Sequence, residues 1–138
     1  MFLFINNLSG NSVFLALLRK DGRNLVEVRL SNRKSRSENI LAGIDGLLAK
    51  SGKSLTLIKG IIVVRGPGSF VGIRVALSVA NTLSWLLKIP IAGVTWRPAD
   101  DKKTLINRGL AELSRDGRNK PIRPFYDKAP NITLKRNK

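Results

Sequence analysis

The 138-residue sequence contains neither cysteine nor histidine. Without cysteine the chain forms no disulfide and has no thiolate nucleophile, and without histidine it lacks the commonest metal ligand and general base. No apolar run approaches the roughly 20 residues of a membrane-spanning helix. The opening stretch, MFLFINNLSGNSVF, has neither the basic start nor the small-residue cleavage site of a signal peptide. We therefore expect a cytoplasmic protein with no bound metal or cofactor and no membrane contact.

Acidic residues are also scarce. The chain has 9 of them against 25 Lys and Arg, which gives a net charge of +16. Such a charge implies a polyanionic partner, with solubility or a compositional bias of the source as the alternative explanation. Aromatic and basic residues are not interleaved as in base-stacking modules, so the charge predicts affinity for nucleic acid without sequence reading.

The stretch from Gly60 to Leu87 predicts a buried strand, a glycine-rich turn and a buried helix. The β-branched run Ile61–Val64 is typical of a strand that is covered on both faces. A helix start of this kind can receive a phosphate, but it lacks the lysine and the spacing of a P-loop, so a tight turn is the simpler interpretation. The predicted turn and helix start consist of Gly66, Pro67, Gly68, Ser69 as the N-cap, Phe70, Gly72 and Arg74, whose side chain either pairs with an anion or is solvated.

The helix predicted over Val71–Leu87 is apolar nearly all round, and such a helix must be covered nearly all round. One sheet of a chain this short covers only one side of it. We expect another polypeptide on the second side, with a helix of the same chain as the alternative. One side carries Ile73, Ala76, Leu77, Ala80, Ser84 and Leu87, and the other Val75, Val79, Thr82 and Leu86.

The remaining segments complete an α/β pattern. Three short strands within residues 2–30 predict an antiparallel meander. A helix over Glu38–Ala49 follows, and Ile91–Val94 reads as a buried strand. The order β-β-β-α-β-α-β predicts a mixed sheet with helices packed on it, as in a ribonuclease H-like or actin-like half. We expect an N-terminal domain over residues 1–95 and a reduced C-terminal segment with a basic tail over residues 96–138, with a modest helix at Thr104–Leu113.

The motif GPGSFVGIR between a buried strand and an apolar helix, followed by IPIAGV, resembles the TsaB family. The helix start RSENILAGIDGLL and the segment PIRPFYDKAPNIT also match. The resemblance implies a cytoplasmic, actin-like scaffold that pairs with the catalytic subunit TsaD in the biosynthesis of threonylcarbamoyladenosine on tRNA. TsaE and tRNA are further candidate partners within that complex, and the sequence leaves open whether the chain also forms a homodimer through the same helices. The implied interface residues are Ile40, Leu41, Ile44, Leu47, Leu48, Ile73, Ala76, Leu77, Ala80, Ser84 and Leu87.

Catalysis has little support in the sequence. No carboxylate occurs between Asp45 and Asp100, and Ser69 has no histidine to activate it. Asn6-Asn7 stands where the family carries an Asp after the first strand, which disfavours a nucleotide or metal there. Asp100-Asp101 reads as a helix start. The alternatives to the scaffold are a free-standing basic RNA-binding module and an ATP-binding or hydrolytic enzyme of the actin-like superfamily.

Overall fold

The structure is a computed structural model that describes residues 1–7, 12–31, 37–68, 70–116 and 120–125, with the side chains of residues 31, 37, 38, 70 and 116 excepted. In this part of the chain the strands are β1 (Phe2–Asn6), β2 (Ser12–Leu18), β3 (Asn24–Ser31), β4 (Gly60–Gly66) and β5 (Ile91–Thr95). The helices are α1 (Ser37–Ser51), α2 (Phe70–Leu87) and α3 (Lys102–Asp116), with a 3-10 turn at Leu55–Leu57.

The five strands form one mixed sheet in the order β3-β2-β1-β4-β5. The first three strands pair antiparallel as the predicted meander, and β4 pairs parallel with both β1 and β5. The apolar strands β1 and β4 lie inside the sheet, where both faces are covered and Leu3, Phe4 and Ile5 are fully buried. Half-buried and exposed residues alternate along most of the edge strand β3. The ribonuclease H-like, actin-like fold class is confirmed.

Helices α1 and α2 pack side by side on one face of the sheet. The main core lies beneath them and joins residues such as Ile40 and Ile73 to Leu15 and Val63. Gly43 allows α1 to lie close to the sheet, since a Cβ there would come within 2.5 Å of a Leu15 side-chain carbon. Glycine within a helix costs stability relative to alanine, and at Gly43 the close contact with the sheet explains why it is there.

Helix α3 packs on the opposite face of the sheet and contacts β4 and β5. Its buried residues Leu105, Ile106 and Leu113 form a second core cluster with strand residues such as Phe4 and Ile62. The division of the chain at residue 95 stays a prediction, but residues on both sides of it share this cluster. No helix in the described ranges is long and apolar enough to cross a membrane.

Candidate partner-docking site

The structure places most of the predicted interface residues in the core. Every one of them is buried except Leu41, which is exposed, and Leu87, which is half-buried. The buried residues are Ile40, Ile44, Leu47, Leu48, Ile73, Ala76, Leu77, Ala80 and Ser84. The small residues Ala76 and Ala80 belong to the core and let α2 lie close to its own sheet. The interface assignment stays a prediction, and the burial of these positions disfavours them as contact residues.

The opposite side of α2 is open to solvent. Trp85 is 74% exposed, Leu86 60% and Val71 56%. Exposed polar residues at positions 74, 78 and 82 connect Val71 to the adjacent pair Trp85 and Leu86 in steps of three or four, so all of them lie on one side of the helix. We call this surface the α2 outer face; it consists of Val71, Arg74, Ser78, Thr82, Trp85 and Leu86. A helix that was predicted to be apolar all round therefore keeps an uncovered side within the described chain, although it is not the side that was named.

The exposed side of α1 adds to this surface. Leu41 is 48% exposed there, and its exposed neighbours include the small residues Ala42, Gly46 and Ala49. The two outer faces together carry the charged residues Asp45, Lys50 and Arg74. In a chain of net charge +16 this helical layer is weakly charged, and its large exposed apolar side chains are the kind that mark an interaction site.

The glycine-rich turn is fixed by contacts to its neighbours. The buried Asn7 donates a hydrogen bond from Nδ2 to the carbonyl oxygen of Gly72 at 3.0 Å, which ties the end of β1 to the first turn of α2. Gly66 has φ of +129°, a conformation that other residues rarely adopt, and a Cβ there would clash with the carbonyl oxygen of Phe125. The simpler prediction, a tight turn that delivers the helix to the sheet, agrees with these contacts. Ser69 and the side chain of Phe70 lie outside the described residues.

Asn81 is a positioning residue that the sequence analysis did not single out. Its Nδ2 donates to the carbonyl oxygen of Ile122 at 2.9 Å, and its Oδ1 accepts the Ile122 N–H at 2.8 Å. Ile122 also lies against Gly93, where a Cβ would come within 2.5 Å of it. The segment Lys120–Phe125 is thereby held against α2 and β5, which covers one flank of α2 from within the chain. The signal in the sequence that could have identified this residue is the presence of an asparagine within an apolar helix.

A cavity of about 390 Å³ lies where β1 and β4 end, at the start of α2. Arg29 is the one charged residue among the described residues that line it, and its guanidinium lies 5.3 Å from the centre of the Phe14 ring. The lining residues are Asn6, Ser12, Phe14, Arg29, Pro67, Gly68 and Trp96. No described lining residue is an acid, so this cavity offers apolar walls and hydrogen-bonding groups without a general acid or base.

The adjacent carboxylates at the start of α3 have structural partners. Asp101 accepts the Thr104 N–H at 2.8 Å, which makes it the N-cap of α3, as the sequence predicted. Asp100 forms an ion pair with Arg108 at 3.0 Å. Hydrogen bonds from Arg108 and from the Arg97 N–H lower the pKa of Asp100, and those from Thr104 lower the pKa of Asp101. Both groups are therefore held ionised at neutral pH. No group of acidic residues in the described ranges could hold a metal ion.

Comparison with known proteins agrees with the resemblance found in the sequence. The family model described as "TsaD: tRNA N6-adenosine threonylcarbamoyltransferase" matches residues 29–97, which is half of the chain. The chain belongs to this family, as a TsaB-type member. The tRNA threonylcarbamoyladenosine biosynthesis protein TsaB of Bacillus subtilis is 32% identical over 63% of this chain, and that of Escherichia coli is 36% identical over 45%. A tRNA N6-adenosine threonylcarbamoyltransferase of Geotalea uraniireducens is 40% identical over 41% of the chain.

The solved structure of YeaZ from Pseudomonas aeruginosa shares the fold, with a TM-score of 0.60 and 26% identity over 68% of this chain and 42% of its own. The matches cover only part of each relative. The chain spans 38% of the Bacillus subtilis protein and 27% of the Escherichia coli protein. The comparisons therefore show family and fold, and the α2 outer face belongs to the matched part of the chain.

Proposed function

We propose that this TsaB-type chain is a non-catalytic scaffold subunit in the biosynthesis of threonylcarbamoyladenosine on tRNA. It docks a TsaD-type catalytic subunit through the α2 outer face and the adjoining exposed side of α1. The observation that carries the proposal is the exposure of Trp85, Leu86 and Val71 along one line of α2. Water contact of this much apolar surface is unfavourable, and burial against another helix removes it.

The identity of the partner rests on the family. Relatives of this chain are named both as the biosynthesis protein TsaB and as the threonylcarbamoyltransferase itself. Two proteins of one fold present similar helical layers, and a weakly charged layer suits a contact between such layers better than it suits a polyanion. The non-catalytic role is supported by the structural engagement of Asp100 and Asp101. TsaE and tRNA enter this proposal only as further components of the assembled complex.

The direct test is complex formation with the TsaD-type protein of the same organism. Size-exclusion chromatography with light scattering should show one discrete complex for the wild type. Trp85→Ala should abolish it, because a large exposed aromatic side chain is the type of residue that dominates binding energy. Leu57→Ala is the matched control, since Leu57 is a large apolar residue that is 44% exposed outside the two helical outer faces.

The same assembly gives the functional result. Formation of threonylcarbamoyladenosine on tRNA by the complete enzyme set should fall with Trp85→Ala and persist with Ser114→Ala, which truncates an exposed side chain of α3 outside both proposed surfaces, and the chain alone should form none. A homodimer formed through the same helices would cover the same surface, so addition of the catalytic subunit should dissociate it. Separate elution of the two wild-type proteins at micromolar concentrations would contradict the proposal.

A further inference from the structure

A cleft at the other end of the sheet from the glycine-rich turn collects positive charge. It lies beside the start of β1 and of β4, has a volume of about 490 Å³ and is lined by Met1, Arg19, Leu25, Lys53, Leu57 and Lys59. Arg19, Lys53 and Lys59 come from three separate parts of the chain, and no described acidic residue is in the lining. The α-ammonium group of Met1 has a lowered pKa, first because of burial and then because of the positive charges of Lys59 and Lys53.

These three side chains form no ion pair within the described ranges, although the charge of Arg19 also acts on Asp21. The ion pairs there join Arg23 to Asp21, Lys102 to Glu27, Arg108 to Asp100 and Arg115 to Glu112. Like charges that converge with little counter-charge repel one another and destabilise the folded state. An anion bound in the cleft would relieve that repulsion, which is why the arrangement indicates a binding surface.

The positive charge continues past the cleft. The turn between β2 and β3 begins at Arg19, which lines the first cleft, and its residues Arg23 and Asn24 line a second cleft of about 270 Å³. Lys102 and Lys103 of α3 line that second cleft too. We call this run the basic edge; it consists of Arg19, Lys20, Arg23, Lys53, Lys59, Lys102 and Lys103, with Asp21 and Glu27 as its acidic neighbours.

We propose that the basic edge binds the phosphate backbone of RNA. A small anion would occupy one cleft, whereas a chain of phosphates can follow the edge from one cleft to the other. A nucleic acid strand carries a phosphate about every 3.4 Å, and Lys and Arg bind it by displacing condensed counterions. Arg19 and Arg23 add guanidinium groups, which can hold a phosphate through two parallel hydrogen bonds.

The surface is separate from the docking proposal. No residue of the basic edge belongs to the α2 outer face, and the test needs no catalytic subunit. Loss of RNA binding and loss of docking are therefore distinguishable. The contacts involve phosphates and no base edges, so the binding should not depend on sequence.

The test is fluorescence anisotropy of a labelled RNA stem-loop with the purified chain, over salt concentrations from about 50 to 200 mM. The variant Arg19→Gln/Lys53→Gln/Lys59→Gln removes the charges of the first cleft. Its matched control, Arg97→Gln/Lys120→Gln/Arg123→Gln, removes the same number of charges from exposed positions elsewhere. Circular dichroism establishes that each variant is folded.

The cleft variant should bind about tenfold more weakly or worse, and the slope of log K against log salt should fall by about 2, while the control stays within about threefold of wild type. Equal losses in the two variants would show that total charge alone matters and would overturn the proposal. Failure of the wild type to bind RNA at about 50 mM salt would also overturn it. So would displacement of the RNA by poly-L-glutamate as effective as by unlabelled RNA, because the edge would then suit an acidic protein.

Discussion

Helices α2 and α3 cover opposite faces of the same sheet, yet their solvent-facing sides differ. The exposed positions of α3 include Lys103, Asn107 and Arg115, as expected of a helix that packs one apolar side on its own sheet and presents a polar side to solvent. The exposed positions of α2 include Val71, Trp85 and Leu86. The fold accounts for all the apolar positions of α3 that are buried, but it leaves large apolar residues of α2 exposed to solvent. This difference is the reason for proposing the α2 outer face as a docking surface.

The largest effect is expected when a charge is placed on each side of α2 in turn, which tests whether one side is buried and the other exposed. Ala76→Glu buries a carboxylate among core residues and should cost roughly 4 kcal/mol or more in the free energy of unfolding. Ser78→Glu lies on the exposed side and should change it by no more than about 0.5 kcal/mol. Urea denaturation followed by circular dichroism measures both. A folded, stable Ala76→Glu protein would contradict the assignment of the two sides.

Large-to-small substitutions test whether the two helical layers form one folding unit. Leu77 in α2 and Leu105 in α3 are both buried, on opposite faces of the sheet. Leu77→Ala and Leu105→Ala should each cost about 3 kcal/mol, from lost apolar contacts and the cavity left behind. Each variant should unfold in a single transition, because both layers pack on the same strands. Two separated transitions in Leu105→Ala would instead support an independent segment after residue 95.

Acid should lower the stability of the folded domain on its α3 side, because Asp100 becomes protonated. The pKa of this carboxyl is lowered in the folded protein, chiefly by its hydrogen bonds with Arg108. Its stabilising contribution is therefore complete above the ordinary carboxyl pKa of 3.8 and is lost as the pH falls through the lower folded value. Asp100→Asn should be less stable than wild type at pH 7, and the difference should shrink as the pH approaches 3. Melting temperatures across that range provide the measurement, and a constant difference would contradict this explanation.

The smallest effect on stability is expected from Trp85, the most exposed aromatic side chain in the described part of the chain. Trp85→Ala should change the free energy of unfolding by no more than about 0.5 kcal/mol, because the side chain contributes little to the core. Denaturation of this variant beside wild type is the check. A loss as large as that of Leu77→Ala would mean that Trp85 supports the domain itself, and its exposure would then no longer indicate a partner.

Local patterns in the sequence were sufficient to predict the order of elements. The β-branched run Ile61–Val64 and the alternation within Leu25–Leu30 are short-range signals, and the structure has a strand at both. The orientation of α2 was not predictable in the same way. Both of its sides carry apolar residues, so helical periodicity leaves two rotations open. Contact with β4 decides between them, and the small side chains of Ala76 and Ala80 allow the sheet to lie close.

The basic edge could not be predicted from the sequence, for a different reason. The net charge indicated a polyanion, but Arg19, Lys53 and Lys59 are far apart in the chain and meet only because β1, β2 and β4 are neighbours. Asn81 is a similar case, since its partner Ile122 lies on a segment with no regular structure. Sequence spacing carries no information about such contacts until the topology is known.

The most direct test of the central claim is the dissociation constant for the TsaD-type subunit, measured by isothermal titration calorimetry. Ser78→Glu places a charge in the middle of the α2 outer face, and Ser114→Glu places the same charge on the exposed side of α3. We predict that Ser78→Glu weakens binding about hundredfold or more, and that Ser114→Glu binds within about twofold of wild type. Equal affinities for the two variants would contradict the account, because the uncovered side of α2 would then not be the surface that the partner contacts.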